Sequence, residues 1–300
     1  MYEIALTVAA CRRADTRVDV AWLVDAEGFG DRDPTEAVAL TPGGGRVGAL
    51  LAGALDDQLA DVAGRMGDTG RFVELQVADF EAAAVGLPSG GTARCLVVPA
   101  DQLPDDLWGR LLARQPIGLV TQIDGDRVVG TTLVTSDALA DADEDVAEAI
   151  GRGASATHVN EDRVLTVLFP VPKLVIVGGG PHAEALEAAA ALLGWQVRTV
   201  NETSTATGLV ATMASMDKLV VMAHDLELAG PVLAAALEGD VGYIGALGSR
   251  RTQEARAEWL AYRGITDLER IHGPAGLDIG ATTPPEIAVS ILAEALASGG

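Results

Sequence analysis

Apolar residues follow two different patterns along the chain, and the change between them divides it. In the first half, short stretches such as "RVDVAWLVDAEG" and "EAVALTPGGGRVGALL" alternate apolar with polar residues or fold back at glycines, which predicts strands and hairpins. Further strands are predicted at "RFVELQVAD", "ARCLVVPA", "PIGLVTQID" and "RVVGTTLVT", with helices at "LLAGALDDQLADVAGRM" and "DDLWGRLLARQ". The acidic segment 137–150 predicts a surface helix. Residues 1–170 are therefore expected to form an α/β domain.

After Pro170 and Pro172 the chain becomes a regular series of continuous apolar strands and helices. The strands are predicted at 174–178, 196–200, 218–222 and 241–245, and the helices near 182–194, 226–238, 249–263 and 284–298. Near-continuous apolar strands separated by helices are typical of a parallel sheet that helices cover on both faces. Residues 171–300 are therefore expected to form a Rossmann-like parallel-sheet domain.

The turn after the first of these strands has the pattern of a phosphate-binding loop. In "VIVGGGPHAEAL", Gly178, Gly180 and Ala183 fit the G-x-G-x-x-G/A spacing, directly after a strand and at the start of a helix. The glycines allow a tight turn and close approach of a phosphate, and the amides at the helix start face the anion. Gly179 lies inside the loop, and His182 lies beside it in the first helical turn.

The residue that ends the second strand is less typical of a nicotinamide site. A dinucleotide site has Asp or Glu about 20 residues after the glycines, where it holds the ribose hydroxyls. This strand, "WQVRTVN", ends in Asn201, with Glu202 one residue later. Asn201 is predicted either to hydrogen-bond a ribose or to cap a turn.

Three further segments place polar residues after strands, at the edge where doubly wound sheets bind ligands. His224 and Asp225 follow the third strand as a pair that could transfer a proton, ligate a metal or hold a polar ring, and Asp225 is also a candidate helix N-cap. In "GALGSRR", Ser249 is a candidate cap, and Arg250 beside Arg251 fits either a phosphate or surface carboxylates.

The last of these segments, "PAGLDIGATTPPEIAVSIL", surrounds Asp278 with glycines. Asp278 is either a ligand-facing acid or a loop hydrogen-bond acceptor. Thr283 and Glu286 have the spacing of a capping box, so Glu286 is interpreted as structural.

The charge, the apolar content and the cysteine count of the chain argue against several classes of function. With 43 acidic and 21 basic residues the net charge is −22, which argues against binding to nucleic acid or to anionic membranes. No window approaches the roughly 18 apolar residues of a membrane span. Two cysteines, Cys11 and Cys95, are too few for a disulfide framework or a thiolate metal site, and they favour a reducing, cytoplasmic location.

The order of these motifs resembles the XdhC/CoxI family of accessory factors for molybdenum hydroxylases. "GGGPHAEAL", "VVMAHDLEL", "GYIGALGSRR" and "IHGPAGLDIGATTPPEIAVSILAEALA" are similar to the family's C-terminal Rossmann domain over about 171–298. Residues 23–57 and 85–98 resemble segments of its N-terminal domain that carry Gly-Gly-Cys and Gly-Leu-Pro-Cys-Gly-Gly. In this chain the two family cysteines are replaced, by Ala54 and by Ser89. Cys95 is interpreted as a buried small hydrophobic residue.

The resemblance implies a factor that binds molybdenum cofactor and assists its sulfuration and delivery to an apo-hydroxylase. It implies the hydroxylase as a partner and a cysteine desulfurase as the sulfur donor, and it leaves room for a homodimer. The alternative on the same scaffold is an NAD(P)-dependent oxidoreductase with His224 as the proton-transfer group, and a third is a noncatalytic interaction protein. The candidate catalytic residues are His224 and Asp225, and the candidate cofactor-binding residues are Gly178, Gly179, Gly180, His182, Asn201, Ser249, Arg250 and Asp278. A metal site is not predicted from the sequence.

Overall fold

The computed structural model describes residues 1–30, 33–135 and 143–298, and the chain divides into two compact units. The N-terminal unit is Met1–Pro170 and the C-terminal unit is Val171–Gly300. Each has its own sheet and its own apolar core. The predicted α/β class is confirmed, with a Rossmann-like parallel sheet in the C-terminal unit.

The sheet of the N-terminal unit has nine strands in the order β3-β2-β1-β5-β4-β7-β6-β9-β8. The strands are β1 (Asp19–Gly28), β2 (Ala37–Leu40), β3 (Arg46–Gly48), β4 (Arg71–Val77), β5 (Gly91–Pro99), β6 (Ile117–Asp124), β7 (Arg127–Thr135), β8 (Ala156–Val159) and β9 (Arg163–Leu168). Their pairings are antiparallel, and β4 joins β7 by a single bridge between Arg71 and Arg127.

Helices and side chains cover both faces of this sheet. The helices are α1 (Ala5–Arg13), α2 (Asp56–Arg65), α3 (Asp79–Ala84), α4 (Leu107–Leu112) and α5 (Glu144–Gly151). Because side chains alternate along a strand, Val20 and Trp22 of β1 enter one core cluster while Ala21 and Leu23 enter another. Of the predicted acidic surface helix, α5 forms the second part, and residues 137–142 lie outside the described ranges.

The C-terminal unit has a five-stranded parallel sheet in the order β11-β10-β12-β13-β14. The strands are β10 (Lys173–Val177), β11 (Gln196–Val200), β12 (Lys218–Val221), β13 (Tyr243–Ala246) and β14 (Ile271–His272). The order reverses direction after β11, so β10 and β12 lie side by side at the topological switch point, where open α/β sheets bind ligands.

Five helices cover this sheet in two layers. They are α6 (Pro181–Leu192), α7 (Thr203–Val210), α8 (Leu226–Glu238), α9 (Arg250–Ala261) and α10 (Pro284–Ala297). Leu174 and Ile176 of β10 pack in the cluster that includes α6 and α10, whereas Val175 and Val177 pack in the cluster that includes α7 and α8. The four predicted strands and four predicted helices are present within a few residues of their expected bounds. None of the described helices has the length and apolar character that crossing a bilayer requires.

Candidate functional site

The candidate residues of the C-terminal unit come together at one edge of its sheet, where β10, β12 and β13 end. We call this the carboxyl edge. Gly178 follows β10, His224 follows β12 after two linking residues, and Ser249 follows β13. Because these strands are parallel neighbours, their ends present the glycine loop, the His224 segment and the Ser249 segment side by side.

Gly178 is enclosed by the neighbouring strand end. Its amide donates to the Val200 oxygen at 3.0 Å, and its φ is +116°. A Cβ there would lie 2.7 Å from the Ala223 nitrogen, so only glycine fits without moving the backbone. The glycine loop is therefore in direct contact with the end of the β12 segment.

Gly180 has the opposite environment. Its φ is +91°, and no heavy atom of the described residues lies within 4 Å of an added Cβ. It is the N-cap residue of α6 without a side-chain cap, and Pro181 occupies the first helical position. The start of α6 therefore faces open space, and the half-buried His182 stands beside it. This arrangement suits an anion bound by backbone amides.

Asn201, not Glu202, places its side chain beside the glycine loop. Its Oδ1 and Nδ2 lie 3.8 and 3.9 Å from a Cβ added at Gly179. The Glu202 carboxylate instead accepts hydrogen bonds from the Ser204 and Thr205 hydroxyls, both at 2.7 Å. These bonds lower the pKa of Glu202, with that from Thr205 the larger cause. The acid that could have held a ribose is thus engaged in the first turn of α7.

Asp225 is the N-cap of α8. Its carboxylate accepts from the Glu227 amide at 3.0 Å, as the sequence suggested for one of its two roles. His224 is exposed beside it, and among the described residues no hydrogen bond joins the two side chains. Asp225 therefore fixes the turn that presents His224, and the proton-transfer role of the pair stays a prediction.

Ser249 caps α9 and leaves two arginines at the helix start. Its Oγ accepts from the Thr252 amide at 3.3 Å. Arg250 and Arg251 are exposed, and neither has an ion pair within the part of the chain that the structure describes. Two cations at a helix N-terminus oppose the helix dipole, so an anion bound there would be favoured. The surface ion pair that was the other interpretation of these arginines is not seen among the described residues.

The sequence prediction missed two residues below this surface. Arg256 is buried, and its Nη2 donates to the Ala223 oxygen at 2.8 Å. Gln253 Oε1 accepts from Arg256 Nη1 at 3.1 Å, and Gln253 Nε2 donates to the Ala246 oxygen at 2.7 Å. The spacing of Gln253, Arg256 and Leu260 places all three on one helix face, and this was the signal that could have revealed them.

The segment that contains Asp278 is held at its base by α10. Glu294 accepts from the Gly276 amide at 2.8 Å and from the Tyr243 hydroxyl at 2.6 Å. His272 lies 3.4 Å from the same carboxylate and packs on the Tyr243 ring, with centroids 4.9 Å apart. Asp278 itself is exposed, with no contact to the other candidate residues recorded within the described ranges.

The predicted capping box at the start of α10 is present. The Glu286 carboxylate accepts from the amides of Thr282 and Thr283, each at 2.9 Å. These backbone hydrogen bonds lower the pKa of Glu286 to about 2. Glu286 is therefore structural, as predicted.

In the N-terminal unit, neither position of the family cysteines offers a thiol. Ala54 is half-buried and follows three residues with left-handed φ, Leu51, Ala52 and Gly53. Ser89 is half-buried before β5. Cys95 is buried within β5, and burial raises the pKa of its thiol to about 12, which confirms it as a core residue. Among the described residues no group of three or more His, Cys, Asp or Glu side chains could hold a metal ion.

Comparisons with known proteins match the part of the chain that carries these residues. Residues 174–295 match the family described as the XdhC Rossmann domain. The chain is 30% identical over 168 residues to the uncharacterized protein YqeB of Escherichia coli K12, covering 48% of this chain and 31% of YqeB. It is 32% identical over 127 residues to the molybdenum cofactor insertion chaperone PaoD of the same organism, covering 42% of this chain and 39% of PaoD. These matches span only a third or so of each relative's length.

A solved structure described as a xanthine dehydrogenase from Bacillus halodurans is also similar, with a TM-score of 0.47 and 20% identity over 99% of this chain and 95% of that one. The family match covers nearly all of β10 through most of α10, and with them the glycine loop and the turn that carries Arg250 and Arg251. The chain is thus similar to the XdhC Rossmann domain over residues 174–295, which make up less than half of its length.

Proposed function

We propose that this protein binds molybdenum cofactor as its cargo and assists its maturation and delivery to a molybdenum hydroxylase. The observation that carries the proposal is the carboxyl edge, where an open glycine loop and the start of α9 lie at the ends of strands of the same sheet. Arg250 and Arg251 at the start of α9 have no ion pair among the described residues, and the whole edge lies in the segment that matches the XdhC Rossmann domain. The similarity to PaoD, a molybdenum cofactor insertion chaperone, supports it independently.

The phosphate end of the cofactor fits the residues at this edge. The loop would accept the phosphate on backbone amides, and Arg250 would neutralise its charge. Asn201 and His224 would hydrogen-bond the rest of the ligand, with Asp225 orienting the His224 turn through its cap. The residues proposed to bind the cofactor are Gly178, Gly179, Gly180, His182, Asn201, Ser249, Arg250 and Asp278.

The role that thiolates would have in the XdhC/CoxI family, as ligands or sulfur carriers, does not fit this chain. A soft thiolate would be the natural ligand or sulfur carrier, but the two family positions hold the methyl group of Ala54 and the hydroxyl of Ser89. Cys95 is buried and its thiol is held protonated. We therefore propose that the protein binds the cofactor and passes it on without carrying sulfur on a thiol of its own. A cysteine desulfurase would supply sulfur from outside.

The experiment is a titration of the purified protein with molybdenum cofactor and, separately, with NAD(H) and NADP(H). We expect micromolar or tighter binding of molybdenum cofactor and its transfer to an apo-hydroxylase of the xanthine dehydrogenase class. Nicotinamide binding without molybdenum cofactor binding would overturn the proposal in favour of an oxidoreductase.

Two arginine variants, one at the start of α9 and one beyond its end, locate the site. Arg250→Gln removes a charge at the start of α9 and is expected to weaken cofactor binding about tenfold, as the loss of a charge-assisted contact would. Arg263→Gln removes the same charge beyond the other end of α9, where the guanidinium lies over the Trp259 ring, and should leave binding unchanged. Equal affinities for the two variants would show that the cofactor binds elsewhere.

A further inference from the structure

Arg256 is a buried cation without an acidic partner. Its residue is 2% exposed, and no carboxylate of the described residues forms an ion pair with it. Its Nε is buried without a hydrogen-bond partner, while Nη1 and Nη2 donate to neutral oxygens of Gln253 and Ala223. Burial lowers the pKa of Arg256. Buried charges are normally paired, so this one calls for an explanation.

Scarcity of acids does not explain the missing partner. The chain has 43 acidic residues against 21 basic ones, and other arginines of the described structure pair with them. Arg94, for example, pairs with Asp25, and Arg163 pairs with Asp143. The surroundings of Arg256 therefore leave its charge uncompensated in a molecule rich in carboxylates.

The guanidinium lies directly beneath the carboxyl edge. The Ala223 oxygen that it holds belongs to the residue whose nitrogen lies 2.7 Å from a Cβ added at Gly178, and His224 is the next residue. Through Gln253 it also reaches the Ala246 oxygen at the end of β13. A Cβ added at Gly273, just after β14, would lie 3.1 Å from Gln253. Arg256 is thus linked, directly or through Gln253, to the ends of the three adjacent strands β12, β13 and β14.

We infer that Arg256 is a positioning residue that holds a buried positive charge beneath the carboxyl edge for an anion carrying phosphate or pyrophosphate. This inference rests on the proposed function, because it assigns the ligand to the same edge. A charge in a poorly solvated position acts over several ångströms, so the residue need not touch the anion to attract it. Before the ligand binds, the same charge destabilises the fold, because hydrogen bonds to two neutral oxygens offset only part of its loss of hydration.

The test uses full-length protein with inorganic pyrophosphate as the probe, measured by calorimetry, and thermal unfolding without ligand. Arg256→Met keeps a long side chain but removes the charge. We expect it to weaken pyrophosphate binding about tenfold or more, while the ligand-free protein unfolds at the same temperature or higher. Arg256→Lys keeps the charge and is expected to retain most of the affinity.

Gln253→Glu provides a second approach that leaves the guanidinium in place. It puts a carboxylate 3.1 Å from Arg256 Nη1, so the buried charge gains an internal partner and pyrophosphate should bind more weakly. Because the change also removes the donor to the Ala246 oxygen, circular dichroism must first show that the variant is folded. A control is Gln196→Glu, the same change at an exposed position on β11, which should bind pyrophosphate as the wild type does.

Unchanged affinity in folded Arg256→Met or in Gln253→Glu would overturn the inference. So would an Arg256→Lys protein that binds as weakly as Arg256→Met, because the hydrogen-bond geometry and not the charge would then matter. Failure of wild-type protein to bind pyrophosphate would also overturn it. Pyrophosphate binding that depends on Arg256, in a protein that does not transfer molybdenum cofactor, would overturn only the proposed function.

Discussion

At the scale of single residues, the two outer glycines of the loop have different requirements. Gly178 is glycine because the Ala223 nitrogen occupies the place of a side chain. Gly180 is open on that side, so its positive φ is its only steric requirement within the described structure. A substitution at Gly180 consequently tests the ligand and not the packing of the loop.

Gly180→Asp is expected to weaken binding of pyrophosphate, and of molybdenum cofactor, at least tenfold more than Gly180→Asn does. The two side chains have nearly the same size and suffer the same backbone strain, so the difference between them is one negative charge against the phosphate. Calorimetric titration of both variants checks this, with circular dichroism to show that both are folded. Equal affinities would show that no anion binds at this loop.

The sequence could reveal the glycines but not all of their neighbours. The G-x-G-x-x-G/A spacing is local, so the strand, turn and helix around Gly178 are readable from a dozen residues. That Asn201 and not Glu202 stands beside Gly179 depends on two hydroxyls of α7 that engage Glu202. The spacing of Arg256 places it on the same face of α9 as Leu260, but an arginine on that face is expected to reach solvent, and only the packing of α9 against the strand ends shows that it is buried.

At the scale of elements, α8 and α9 pack through a glycine. A Cβ added at Gly230 in α8 would lie 2.5–2.6 Å from the Trp259 ring of α9. The indole therefore lies directly on the α8 backbone, and this contact sets the distance between the two helices. Ser249 caps α9 and Arg256 lies within it. The contact between Gly230 and Trp259 therefore also positions these two residues relative to the carboxyl edge.

Gly230→Ala should destabilise the protein by about 1–3 kcal/mol, the usual cost of overpacking. The matched control is Gly208→Ala in α7, where nothing lies within 4 Å of the added Cβ. That change should stabilise by about 0.5–1 kcal/mol, since alanine is the better helix former. Chemical denaturation of both variants checks the opposite signs. Stabilisation by Gly230→Ala would contradict the close packing of the two helices.

The start of α10 gives a prediction about pH. The pKa of Glu286 is about 2 in the folded protein, below its ordinary 4.5, because the carboxylate accepts backbone hydrogen bonds. The stabilisation that it provides is therefore complete above pH 4.5 and is lost as the pH falls through about 2. Glu286→Gln should be less stable than wild type near neutrality, with the difference shrinking below pH 4.5. Urea unfolding of both proteins between pH 2 and pH 7 measures this difference. A gap independent of pH would contradict it.

Elements with a strong apolar pattern could be predicted, and weakly patterned ones could not. β10 and β12 are continuous apolar runs and were placed within one residue of their observed bounds. The eight residues of α7, "TSTATGLV", are mostly small and polar, so helical spacing is hardly visible in them. β14 has only two residues, and it exists as a strand because β13 offers it a partner. The antiparallel order of the first sheet likewise depends on pairings distant in sequence.

At the scale of the whole molecule, charge opposes the proposed ligand. A net charge of −22 repels an anionic cofactor at long range and also works against the compact state of the protein. The arginines at the carboxyl edge, Arg250, Arg251 and Arg256, are local exceptions to the overall sign. Specificity for the edge is a natural result, since an anion is attracted to few other places on such a surface.

Salt should therefore raise stability and lower affinity in the same protein. Between about 10 mM and about 150 mM NaCl the screening length falls from about 30 Å to about 8 Å, which weakens repulsion among the surface carboxylates. A gain of about 1 kcal/mol would raise the Tm by roughly 2–4 °C. Pyrophosphate would bind more weakly, because chloride competes with it for the arginines at the carboxyl edge. Differential scanning fluorimetry and calorimetry in NaCl, repeated in choline chloride as a control for sodium, measure both. A Tm that does not change with salt would contradict the first part.

The two edge strands of the parallel sheet in the C-terminal unit, β11 and β14, disfavour self-association. On one side, β11 turns Gln196, Arg198 and Thr199 to solvent, and on the other, β14 offers two residues of backbone. An exposed strand is a template for another strand only when it is long and apolar, and these two are polar or very short. Growth by strand addition is thus blocked at both margins of this sheet. The unit can therefore be concentrated without polymerising through its own backbone.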